Sequence, residues 1–151
     1  MKKISLLFAV GLFCNMTFAA DGVVNVKSKF KVAETAERFI GIAKKKGMKV
    51  MAHVKHSQGA KNVGVDLKPT ELVIFGNPKI GSPMMACQRS IAIDLPQKML
   101  VWEDNGGQVW LSYNDPNYIA DRHQLKNECR GSLKKIAGAL GKLSHKAGGM
   151  N

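Results

Sequence analysis

Acidic residues are scarce. Eleven Asp and Glu stand against 23 Lys and Arg, a net charge of +12 over 151 residues. A balance this basic rules out an acidic solvating tail and favours anionic surroundings such as nucleic acid, lipopolysaccharide or a membrane surface. Aromatic residues are also few, at 7%. None is interleaved with the lysines that follow Arg122, which argues against stacking on single-stranded nucleic acid. The spacings C-x-x-C and H-x-x-x-H, expected of zinc sites, do not occur. No glycine loop carries the Lys-Ser or Lys-Thr pair of a P-loop. Apolar runs are short, and the longest at the N-terminus, Ile4 to Phe13, cannot span a bilayer.

That N-terminal run has another reading. Lys2-Lys3 precede it, and Thr17-Phe18-Ala19 follow with small residues where a signal peptidase inspects. Residues 1–19 are therefore expected to be a secretory signal peptide, with cleavage after Ala19 and the periplasm, or release to the medium, as destination. Cys14 follows the bulky Phe13, which does not suit lipoprotein processing. Residues 20–151 are expected to form one domain, large enough to bury a hydrophobic core. Only Cys87 and Cys129 then remain. In an oxidising compartment they could pair as a disulfide, or equally serve as two small buried apolar residues.

Hydrophobic periodicity places the elements. Val23 to Val26 reads as a first strand. Val32, Ala36, Phe39, Ile40 and Ala43 share one helical stripe, so a helix is expected from Val32 to Lys46, stopping at Gly47. Met48, Val50, Ala52 and Val54 alternate with Lys49, Met51, His53 and Lys55, a strand with one buried face that carries His56 to the buried side at its end. Leu72 to Phe75 is continuously apolar and reads as a strand covered on both faces. Ser82-Pro83 is expected to cap and open a short helix, Pro83 to Gln88. Lys98 to Asp104 and Gln108 to Tyr113 form a hairpin in which Asn105-Gly106 supply positive φ angles. Asp115-Pro116 opens a helical turn. A final helix, Gln124 to His145, presents Leu125, Cys129, Leu133, Ile136, Ala137, Leu140 and Leu143 on one face. Its lysines read as a solvated face, with at most weak contact to anionic surfaces and no specific nucleic-acid partner. The order of elements predicts an α+β domain with a mostly antiparallel sheet.

Several ordered segments carry a resemblance: Phe75-Gly76-Asn77-Pro78 through Met85, Asp94-Leu95-Pro96, Val101-Trp102-Glu103-Asp104, and Trp110-Leu111-Ser112-Tyr113-Asn114-Asp115-Pro116. Together they resemble the bacterial domain-of-unknown-function 302 family. The resemblance implies a fold like that of the TATA-box-binding-protein class: a curved antiparallel sheet with helices on one side, a strand-helix start and a C-terminal helix. It implies homodimers, and neither DNA binding nor any agreed activity.

The candidate site follows from the residues. Gly76 and Gly81 permit close backbone approach, and a helix capped by Ser82 would offer free N–H groups to a carboxylate or phosphate. His56, Asn77, Gly81, Ser82, Glu103 and Tyr113 are taken as lining a ligand pocket beside the 76–83 segment, with Met84 and Met85 packed inward and no metal or cofactor bound. His53 reads as a hydrogen-bonded surface histidine, and Trp102 and Trp110 as sheet-packing residues. The leading expectation is non-catalytic binding of a small ligand or partner. One alternative is an enzyme using Cys87 or His56 with Glu103. The other is a copper or redox accessory protein in which Met84, Met85, Cys87 and His56 supply soft donors.

Overall fold

A computed structural model describes residues 20–150; the expected signal peptide lies outside them. The order is β1 (Val23–Ser28), α1 (Val32–Lys45), β2 (Lys49–Lys55), α2 (His56–Asn62), β3 (Thr70–Gly76), α3 (Pro78–Cys87), β4 (Gln97–Glu103), β5 (Val109–Asn114), α4 (Pro116–Arg122) and α5 (Leu133–Ala147). Short 3-10 turns occupy Arg89–Ile93 and Asn127–Cys129. The five strands form one sheet in the order β1-β5-β4-β3-β2, antiparallel throughout.

Helix α1 forms as its pattern predicts: Val32, Ala36, Phe39, Ile40 and Ala43 are all buried. They meet Val73, Phe75, Met99, Val101, Val109 and Leu111 from one sheet face, and Leu140, Leu143 and Ala147 from α5. Burying each large side chain contributes about 1.5–3 kcal/mol. Phe39 and Phe75 meet edge to face, with ring centroids 4.9 Å apart. Arg38 ties α1 to the end of α5, its Nε donating to the Ala147 carbonyl at 2.9 Å.

Strand β2 departs from the expected alternation. A bulge between Val50 and Ala52 inserts one residue and inverts the facing of everything after it. Val50 pairs with Phe75 and His53 with Val73, so His53 faces the helices while Ala52 and Val54 face away. His56 is not on a buried face: it is the exposed first residue of α2. Strand β3 also differs, because Glu71, Val73 and Phe75 are buried but Leu72 and Ile74 are only half-buried. It is covered by helices on one face and not on both.

The hairpin register places Leu100 opposite Ser112 and Trp102 opposite Trp110. Its turn runs on Gly107, at φ +82°, while Asn105 keeps an ordinary φ. Asp104 organises the turn by accepting from the N–H groups of Gly106 and Gln108, both at 2.9 Å, and from Trp110 Nε1 at 2.8 Å. The Trp110 bond and then the backbone bonds lower the Asp104 pKa below 3.8. With the folded value depressed, this tie is present at neutral pH and is lost as pH falls through that lowered value.

The C-terminal helix is shorter than its pattern suggested. Gln124 adopts φ 51°, and the Arg130 side chain caps the Leu125 carbonyl at 2.7 Å, so residues before Leu133 fold irregularly. Leu125 and Cys129 therefore leave the α5 face and join a second buried cluster with Met84, Ile91, Ile119, Ala120 and Leu133. On α5 itself, Lys134, Lys135, Lys142 and Lys146 are exposed.

Candidate functional site

The segment expected to be a loop before a Ser82 cap is helical. Asn77 is the cap: its Oδ1 accepts from the Lys79 N–H at 3.0 Å, and Pro78 takes the first helical position. Both choices suit a helix start, since Pro78 lacks an N–H that would have no partner there. Ser82 and Pro83 thus lie inside α3, and the anion site imagined at a Ser82-capped N-terminus does not form. Pro83 cannot donate to the Lys79 carbonyl, and Gly81 is a poor helix former, so α3 depends on its surroundings. One support is covalent, a disulfide from Cys87 at its end to Cys129, 42 residues further along.

α3 forms one wall of a cavity of about 200 Å³, open on one side. The floor is the end of the sheet, Met48, Phe75, Gly76 and Gln97; the far wall is Ile136, Ala139 and Leu140 of α5. Phe75 and Leu140 belong to the main core, whereas Met84, Met85 and Leu95 belong with the second cluster. The cavity is the seam where the two cores meet without filling the space between them. Its lining is almost wholly apolar. Asn77, Ser82 and Gln97 are the polar residues on it, and no ionisable side chain lines it.

Of the six residues taken from the sequence, Asn77, Gly81 and Ser82 line this cavity. The other three do not, and strand direction explains why. Lys49 pairs with Gly76 and Phe75 with Gln97, which sets the cavity at one end of the sheet. Lys55 pairs with Glu71 and Thr70 with Trp102, so His56 and Glu103 lie at the other end, about 20 Å away at ~3.3 Å per residue. There Glu103 pairs with Lys68 at 3.4 Å. Tyr113 packs into the main core beneath α5, and burial raises its pKa above 10.0, assisted by Asp115.

The cysteine and copper alternatives lose their geometry, whereas His56 and Glu103 stay at one end of the sheet. Cys87 is bonded to Cys129 and offers no thiolate, to a carbonyl or to copper. His56 is separated from Met84 and Met85 by the length of the sheet. Among the described residues, no group of three His, Cys, Asp or Glu side chains is placed to hold a metal ion.

Sequence reasoning missed two polar clusters. His53 Nε2 lies 2.6 Å from Glu71 Oε2, and its Nδ1 is 3.7 Å from Glu37. This pairing compensates the burial of Glu71 and depends on the β2 bulge, which periodicity does not reveal. Elsewhere Ser90 Oγ lies 3.0 Å from His123 Nδ1, whose Nε2 is 2.7 Å from Asp94 Oδ2, with Arg122 Nη1 3.2 Å from that carboxylate. The residue types match a hydrolytic triad, but the ring is reversed relative to one, in which Nε2 faces the serine. Neither Ser90 nor His123 lines the cavity. The cluster fastens the 89–93 turn to the end of α4. Also missed were Met48, just before β2, and Met51, within it, which both line the cavity. Their separation in sequence from Met84 and Met85 hid the grouping.

The chain is a small α+β domain with a half-open apolar cavity. Its backbone matches the crystal structure of an uncharacterized conserved protein DUF302 from Bacillus stearothermophilus with a TM-score of 0.75, covering 85% of this chain and 99% of that one at 18% identity. Residues 24–143 match the family described as Domain of unknown function DUF302, and the chain belongs to that family. It is also 44% identical over 129 residues to proteins named Fluoride-specific ion channel FluC 1 in Brucella suis and Brucella abortus. The match covers 85% of this chain and 51% and 48% of those proteins, so the chain spans about half the length of these curated relatives. No helix among the described residues is long and apolar enough to cross a membrane.

Proposed function

We propose that this chain is a periplasmic binding domain that holds a small apolar ligand in the seam between α3 and α5 and does not turn it over. The cavity carries the reading: apolar walls, a volume suited to one small molecule, and no ionisable side chain lining it. The Cys87–Cys129 disulfide and the signal-like N-terminus support an oxidising compartment. The sheet face turned away from the helices supports a dimer. It carries Leu72, Ile74, Leu100, Trp102 and Trp110, all half-buried, an apolar surface on which a second copy would pack.

Protein purified from a periplasmic extract tests all three parts. Native mass spectrometry is expected to give a dimer of chains beginning near Ala20. Methyl NMR with cyclohexanol as probe is expected to shift Met48, Met51, Met84 and Met85, which line the cavity, and to leave Met99 of the main core unmoved. Ala139→Phe should fill the cavity and abolish those shifts. A monomer would remove the dimer, an unprocessed chain the compartment, and unshifted methyls the ligand site.

The channel names favour a second reading at the level of physiology: this domain works alongside a fluoride channel. The cavity lining has no cationic side chain, so this reading concerns the domain's setting and is separate from the apolar ligand. Deleting the gene is then expected to lower the fluoride concentration a bacterial host tolerates. Unchanged tolerance would remove this reading and leave the cavity reading standing.

A further inference from the structure

The cavity's walls are specific about the chemistry of their guest. Four methionines, Met48, Met51, Met84 and Met85, line one space of about 200 Å³, two from the β2 side and two from α3. Methionine has three rotatable bonds and a polarizable sulfur, so it adapts its shape and makes favourable contacts with aromatic ring edges. A dry cavity of about 150 Å³ accepts benzene, so this one has room for a single ring with one substituent. A charged group drawn inside would meet no counter-charge and would be strongly disfavoured. Asn77 already spends its carbonyl oxygen on the Lys79 N–H, which leaves Ser82 and Gln97 as the other polar residues of the lining.

Resting on the binding reading above, we infer that the ligand is a neutral aromatic ring carrying one hydrogen-bonding group, of the phenol class. Met84 is buried and Met85 partly so. The methyl ends of Met51 and Met85 come within 3.8 and 3.9 Å of where a Cβ on Gly76 and on Gly81 would stand. The two glycines thus leave space that thioether arms from both walls enter, around any ring seated there.

Phenol and cyclohexanol make a matched pair, since both are six-membered rings with one hydroxyl and only one is aromatic. Titration of the oxidised wild-type protein is expected to show phenol binding at least about fivefold more tightly, because thioether sulfurs make favourable contacts with an aromatic ring and none with a saturated one. Met84→Leu/Met85→Leu conserves volume and is expected to bring the ratio close to one while cyclohexanol still binds. Circular dichroism confirms that the variant is folded; should it not be, Met51→Leu, at an exposed position, replaces it. Equal binding of both probes by the wild type, or a preference untouched by the Met→Leu changes, would overturn the aromatic assignment and leave the cavity as a general apolar site. Binding of neither probe would overturn the site itself.

Discussion

Replacing Cys87 and Cys129 together by serine is expected to lower the stability of the oxidised protein by about 4 kcal/mol. The disulfide joins residues 42 apart, and closing a loop of that length restricts the unfolded chain by roughly this amount at 25 °C. The loss is a large share of the ~5–15 kcal/mol that holds a domain of this size folded. It has a local consequence as well. α3 contains Pro83 and Gly81 and supplies one wall of the cavity, so freeing its C-terminal end loosens that wall. Probe affinity is expected to fall at least about tenfold under conditions where the variant is still folded, because the site must first be reordered. Urea denaturation of the oxidised wild type, the reduced wild type and the double variant measures the first effect, and probe titration the second. A midpoint shift worth less than about 1 kcal/mol would show that the disulfide is dispensable.

Phe75→Ala is expected to cost about 3–5 kcal/mol. Phe75 is 1% exposed, sits in the interior of the sheet between β2 and β4, and meets the Phe39 ring edge to face at 4.9 Å. It also forms part of the cavity. Shortening it therefore acts on stability and on ligand size together. Phe75→Leu should retain most of the stability and enlarge the cavity, so that naphthol, too large for the wild type, gains affinity while phenol loses it. Urea denaturation of both variants and titration with the two phenols check this pair of effects. An Ala variant as stable as wild type would mean that the two aromatic rings do not organise the core.

Several elements were legible because their signals are local. The α1 stripe from Val32 to Ala43 needs only helical spacing, and all five residues are buried as that spacing requires. Asp115 caps α4 at Pro116, accepting from the Asn117 N–H at 2.8 Å, a contact made within three residues. The hairpin strands were equally plain, although the left-handed residue is Gly107 and not Asn105. Errors entered where two local signals competed. Asn77-Pro78 and Ser82-Pro83 both have the form of a helix start. The first one won, because α3 could pack Met84 inward and pair Cys87 with Cys129 only by running through the second.

By itself, the sequence determined the class of fold, the family, the first helix and the identity of the soft, apolar residues around positions 76–85. Tertiary structure alone decided which of those residues meet. The β2 bulge turned His53 toward Glu71. Antiparallel pairing sent His56 and Glu103 to the end of the sheet opposite Asn77, Gly81 and Ser82. Chain folding brought Met48 and Met51 to Met84 and Met85 across more than thirty residues of intervening sequence. The reason is physical. Periodicity reports which face of one element is buried, whereas a cavity arises where two separately packed cores abut, and the registers and crossings that set that seam are long-range properties no single segment encodes.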